Sequence, residues 1–218
     1  MAGSTPIYGF PYPQSTDLVA DYPTLGQELA TDVETVISGL GSGLNIVTPT
    51  SIANSGGSAS ASGAAVTFTG VSSVSLNGIF SATYDNYRIM LKFTHSSSSN
   101  LTARLRTSSD DTATNYADQL FYGSGTAVAA NRISGQSFWR FGYCPTSEYS
   151  VSSVDIFSPN IAEATRYTST STTLSGASVE SSIFGGMNSQ TTQYTGLTLL
   201  PGAGVLTGKI RVYGYNNS

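Results

Sequence analysis

Tyr87-Arg88-Ile89-Met90-Leu91-Lys92-Phe93 is the stretch on which the fold turns. Tyr87, Ile89, Leu91 and Phe93 alternate with Arg88, Met90 and Lys92, and a period of two puts the first four on one face of a β-strand. Leu101, Ala103 and Leu105 repeat the pattern. So do Ile210 and Val212, which oppose Lys209, Arg211 and Tyr213. The remaining runs read as strands are 65–71, 74–76, 128–134, 137–143, 149–157, 166–174, 179–184 and 196–200, with the last strand spanning 205–215. Asn77-Gly78 predicts a two-residue hairpin, and Pro201-Gly202-Ala203-Gly204 a turn before the final strand. Many short strands with turn signals every ten or so residues argue an antiparallel β-sandwich.

The composition suits a β protein with a hydroxyl surface. Of 218 residues, 39% are hydrophobic and 10% charged, against roughly 25% charged in an average soluble domain. Ser and Thr exceed a quarter of the chain, and the net charge is −4. Nucleic acid is not expected as a partner, because phosphate contacts need clustered Lys and Arg. Arg104 and Arg106 are the only local cluster and read as a solvated strand face. The single Cys144 excludes an intrachain disulfide and a thiolate zinc site, and the single His95 a His-pair site. His95 reads as an ordinary surface residue. The start of the chain is not a signal peptide, and no apolar run approaches about 20 residues, so no membrane insertion is expected.

Ahead of the β-domain the chain changes character. Residues 1–21 carry Pro6, Pro11 and Pro13 interleaved with Tyr8, Phe10 and Tyr12, which predicts an extended arm. Its aromatics have no local core, and leaving one in water forgoes roughly 1.5–3 kcal/mol. Tyr8, Phe10 and Tyr12 are therefore read as docking contacts to another protein or subunit, with folding back on their own domain the alternative. Residues 22–40 predict a short helix whose Leu25, Leu29, Val33, Val36 and Leu40 form one narrow apolar seam. By pattern alone the helix is either a lid on the β-domain or a short bundle with copies of itself. Residues 41–63 read as a Gly/Ser linker with one short strand candidate, 44–48, and 64–218 as the β-domain.

Two groups of residues carry a family resemblance. Tyr12-Pro13-Gln14-Ser15-Thr16-Asp17-Leu18-Val19-Ala20-Asp21 with the helix resembles the start of tailed-bacteriophage fibre and minor tail proteins. Tyr84-Asp85-Asn86-Tyr87-Arg88-Ile89, then Leu101–Arg106 with Asn115-Tyr116, and finally Leu199–Gly214 are similar to the C-terminal jelly-roll-like domain of phage tail and head fibres. The resemblance spans most of the chain, with 127–179 the least matched. It implies a homotrimeric virion protein, made in the bacterial host cytoplasm. Such a protein is attached to other virion proteins by its N-terminus and exposes a β-domain to a host surface glycan or protein. It also turns the helix reading toward the bundle. A capsid or collar decoration protein is the second reading.

No nucleophile elbow, P-loop or zinc signature occurs. Asp110-Asp111 reads as a polar turn, and Asp118, Glu148, Asp155 and Glu163 are scattered without a pairing signal, so a polysaccharide depolymerase is disfavoured. No enzyme activity and no cofactor are expected. Sugar binding needs exposed aromatics with polar neighbours. Trp139, Phe141 and Tyr143 share one strand face, which reads as core. Tyr116 and Tyr122, in the long connection 108–127, are read as glycan contacts.

Overall fold

A computed structural model describes residues 3–5, 9–14, 18–39, 43–108 and 110–217. Tyr8 and Leu40, assigned above to docking and to the seam, lie outside the described residues. The chain divides into two compact units, Met1–Gly43 and Leu44–Ser218.

In the first unit, β1 (Gly3–Ser4) pairs antiparallel with β2 (Pro11–Tyr12). Thr5 closes this hairpin. Its N–H donates to Phe10 O at 2.9 Å, its hydroxyl accepts from Phe10 N at 3.0 Å, and its carbonyl accepts from Gly9 N at 3.0 Å. Gly9 turns there with φ +70°, a conformation that costs glycine little. The prolines predicted an extended arm; these bonds fold part of it back on itself. A 3-10 turn, Val19–Asp21, leads into α1, Tyr22–Gly39. Leu25, Val33 and Val36 are half-buried, and Leu29 is 39% exposed.

The second unit is an antiparallel sandwich. Its strands are β3 (Leu44–Val47), β4 (Ser51–Ser55), β5 (Ser58–Ser62), β6 (Ala65–Val71), β7 (Ser73–Asn77), β8 (Asn86–His95), β9 (Ser99–Thr107), β10 (Asp110–Asp111), β11 (Tyr116–Ser124), β12 (Ala127–Gln136), β13 (Trp139–Cys144), β14 (Ser150–Phe157), β15 (Thr165–Ser175), β16 (Ser178–Asn188), β17 (Gly196–Pro201) and β18 (Leu206–Tyr215). The smaller sheet runs β4-β7-β17-β9, with β10 and β13 both on the far edge of β9. The larger runs β5-β6-β18-β8-β14-β15-β16-β11-β12, with β3 alongside β18. Within these, β6-β18-β8-β14 in one sheet and β7-β17-β9-β13 in the other have the strand order of a jelly roll. The hairpins β15–β16 and β11–β12 continue the larger sheet past the last strand of the smaller.

Alternation placed the core correctly. Tyr87, Ile89, Leu91 and Phe93 are at most 4% exposed. Leu101, Ala103, Leu105, Ile210 and Val212 join them, while Lys92, Lys209 and Arg211 are exposed. Pairing of β8 with β18 sets Lys92 opposite Lys209, and Arg211 opposite Met90. Lys92 Nζ also lies 4.4 Å from the centroid of the Tyr149 ring. This exposed cationic patch supersedes Arg104 and Arg106 as the chain's basic cluster.

Several expectations are corrected. The strand candidate at 44–48 is β3, which pairs with β18, whereas residues 51–55 and 58–62 are strands rather than linker: β4 pairs with β7 and β5 with β6. Small Ser and Ala side chains leave little periodicity to read, yet their backbone groups still complete sheet edges. Asn77-Gly78 makes no hairpin, because β7 pairs with β4 and β17 while the following strand joins the other sheet. Arg106 is not solvated. It is 7% exposed, bonds Ser75 and Thr198, and pairs with Asp111. Asp155 is likewise paired, with Arg88 at 2.7 Å and the Tyr215 hydroxyl at 2.6 Å.

His95 is buried, at 3% exposure. Its Nδ1 lies 2.6 Å from Ser99 Oγ. Burial lowers its pKa below the ordinary 6.5, against the opposing effect of the Ser99 bond. Protonation therefore favours the unfolded chain: the stability His95 contributes is complete above the unfolded pKa and is lost as pH falls below it. Urea midpoints should decline from about pH 7 to about pH 5, and His95→Gln should flatten that decline. An unchanged slope in the variant would show that other groups set it.

Candidate functional site

Beyond β13 the larger sheet overhangs the smaller one, and β13 is its support. Strand β13 pairs with β9 through one edge only, so its other carbonyls need partners. Side chains of the larger sheet supply them. Tyr167 OH donates to Arg140 O at 2.8 Å, Ser169 Oγ to Phe141 O at 2.7 Å, and Ser150 Oγ to Tyr143 O at 2.7 Å. A bulge at Phe141 shifts the register between Arg140 and Gly142. The predicted common face of Trp139, Phe141 and Tyr143 is thereby broken. Trp139 and Phe141 are fully buried, Gly142 takes the position against the larger sheet, and Tyr143 is left half-exposed. A Cβ on Gly142 would come within 2.6 Å of Ser152 Oγ and 2.7 Å of Ser171 Oγ, so a larger residue there would force both serine side chains to move.

Arg140 ties this strand to the overhang. Its Nε donates to Asp118 Oδ1 at 2.9 Å, its backbone N to Asp118 Oδ2 at 3.1 Å, and its Nη2 also contacts Asp118. Its Nη1 donates to Asn131 Oδ1 at 2.7 Å. The two charged side chains are 8% and 0% exposed. Asp118 lies on β11 and Asn131 on β12, so one guanidinium fastens three strands.

A cleft of about 380 Å³ opens beside this pair. Leu120 and Tyr122 of β11 form part of its wall, with Ser182 and Glu180 of the neighbouring β16. Asn131 and Arg140 lie at one side, and Asn100 and Tyr143 come from the smaller sheet. Leu120 pairs across the ladders with Asn131 and Phe184, and Tyr122 with Ser182, which puts these side chains on the same inner face. Glu180 is 9% exposed, and no described residue donates a hydrogen bond to its carboxylate. Desolvation raises its pKa.

The residues expected to contact glycan therefore part company. Tyr122 lines the cleft. Tyr116 does not: it is fully buried on β11, its hydroxyl donates to Thr112 O at 2.9 Å and accepts from Leu105 N at 2.8 Å, and its ring meets Trp139 edge-on at 5.2 Å. The segment 108–127 lacked strong alternation and read as a loop, whereas Tyr116–Ser124 within it is strand β11. Sequence reading missed Arg140, Asp118, Asn131 and Glu180, which come from separate strands; the Leu-Phe-Tyr run at 120–122 was the one local signal. Among the arm residues, Phe10 is half-buried and Tyr12 is 45% exposed.

No group of three or more His, Cys, Asp or Glu that would hold a metal ion occurs among the described residues. No protein-family model matches the chain, and neither a curated protein nor a solved structure is significantly similar to it.

Removing Asp118 strands a buried guanidinium, which costs about 3–5 kcal/mol. Asp118→Ala should lower stability by that order in urea unfolding. Replacing both partners, as Asp118→Leu with Arg140→Met, should restore most of it, since apolar residues of similar volume substitute well for a buried pair. Equal losses in the single and double variants would show that the loss comes from the missing pair itself and not from a stranded guanidinium.

Proposed function

We propose that this chain is a homotrimeric structural component of a phage virion, a fibre or appendage that anchors by its N-terminal unit and displays the jelly roll for host-surface attachment. The observation that carries the reading is the apolar row of α1. Leu25, Leu29, Val33 and Val36 share one side of the helix, and Leu29 is 39% exposed. Gly9 and Pro11 of the hairpin border a depression with Thr24, Gln27, Glu28 and Thr31, on a polar side of the helix. An isolated helix of 18 residues is marginal in water and gains most of its stability from packing its apolar face. Copies of the same helix supply such a face through a seam of this spacing. The cleft on a hydroxyl-rich β-domain supports a recognition role for the displayed part. The family resemblance supplies the virion setting.

Light scattering of the full chain should give three times the 22.7 kDa chain mass. Leu29→Asp with Val36→Asp should yield monomers whose β-domain keeps its circular dichroism and melting transition. A wild-type monomer overturns the reading, and a double variant with an unfolded β-domain reassigns α1 as part of that domain's core.

A further inference from the structure

The cleft has an electrostatic character that its wall residues do not show singly. Its one guanidinium, Arg140, is spent on Asp118 and Asn131. Glu180 remains as a carboxylate, 9% exposed, with no described partner and no Lys beside it in the cleft. A desolvated charge without a counter-charge is costly, and a ligand that brings the opposite charge removes that cost. The cleft thus presents one uncompensated negative group to whatever enters.

The rest of the wall specifies the body of the ligand. Tyr122 and Tyr143 offer aromatic rings with polar tips, suited to packing against an amphipathic ring and to attracting a cation. Asn131 gives its carbonyl to Arg140 and keeps its amide N–H groups; Asn100 and Ser182 add further donors and acceptors. A volume of about 380 Å³ lies at the small end of ligand sites. Aromatic faces, side-chain amides and hydroxyls in a shallow cleft match a sugar ring, and the lone carboxylate matches an ammonium group on it.

We propose that the cleft binds a saccharide bearing a primary ammonium group, a basic amino sugar, with the ammonium on Glu180 and the ring against Tyr122 and Tyr143. This rests on the reading of the β-domain as the host-facing part and names the ligand class it would meet there. Acidic sugars are disfavoured because no cation in the cleft is free to receive them. N-acetylated sugars lose the charge that Glu180 selects.

The test is a calorimetric or NMR titration of the full chain with D-glucosamine, N-acetyl-D-glucosamine, D-glucose and ethanolamine near neutral pH. Glucosamine should bind at least about tenfold more tightly than the other three, a ratio worth about 1.4 kcal/mol. Glu180→Gln should abolish the preference without lowering the melting temperature, since it removes an uncompensated charge, and Tyr122→Ala should weaken glucosamine binding in its own right. Equal binding of glucose and glucosamine, unaffected by Glu180→Gln, overturns the ammonium assignment. Ethanolamine binding as tightly as glucosamine, or no saccharide binding at all, overturns the amino-sugar site. Any of these leaves the trimer measurement untouched, so failure of the site is distinct from failure of the appendage reading.

Discussion

The support of the overhanging sheet by β13 is the constraint around which this β-domain is arranged, and the buried Arg140–Asp118 pair fixes its position. A jelly roll closes when its two four-stranded sheets cover each other, and the hairpins β15–β16 and β11–β12 exceed that requirement. An overhanging sheet would expose its inner face. Here β13 reaches under it, its carbonyls held by Tyr167, Ser169 and Ser150, and its arginine is clamped by Asp118 and Asn131. Trp139, Phe141 and Tyr167 pack in the space so enclosed, with ring centroids 4.7 to 6.4 Å apart. What the support does not reach becomes the cleft.

The same logic separates the charges of this chain into two kinds. Arg140 and Arg106 are buried and paired, so their value lies in fixing strand positions, and losing one partner is costly. Lys92, Lys209 and Arg211 stand on the outer face, where each contributes little to stability. Facing lysines on neighbouring strands even oppose each other slightly. Asp17, Asp21, Glu28, Asp32 and Glu34 place five carboxylates and no Lys or Arg in residues 1–43. An association of α1 therefore draws on apolar packing against like-charge repulsion, and salt should favour it.

The fold was legible where burial is one-sided. Strands β8, β9 and β18 announce themselves by alternation, and their inward residues are the core. It was illegible where side chains are small, as in β4 and β5, or where both faces carry mixed residues, as in β11. The cleft was hardly legible at all. Tyr122 stood out as an aromatic in a polar segment, but Tyr116 carried the same signal and is a core residue whose hydroxyl serves a backbone amide. Glu180 and Asn131 meet because β16 pairs with the sequence-distant β11, the hairpin partner of β12; Arg140 comes from β13 of the other sheet, where the bulge at Phe141 redirects Tyr143. None of those events has a local signature.

Under the proposed function the jelly roll is the displayed part of a particle-bound trimer, its cleft turned toward the surroundings. A reconstruction of the intact phage particle tests this most directly. The predicted result is three copies joined through α1 at the particle surface, with the β-domains distal and the cleft open to solvent. Particles without the chain, or β-domains lying flat on the shell with the cleft covered, would contradict it.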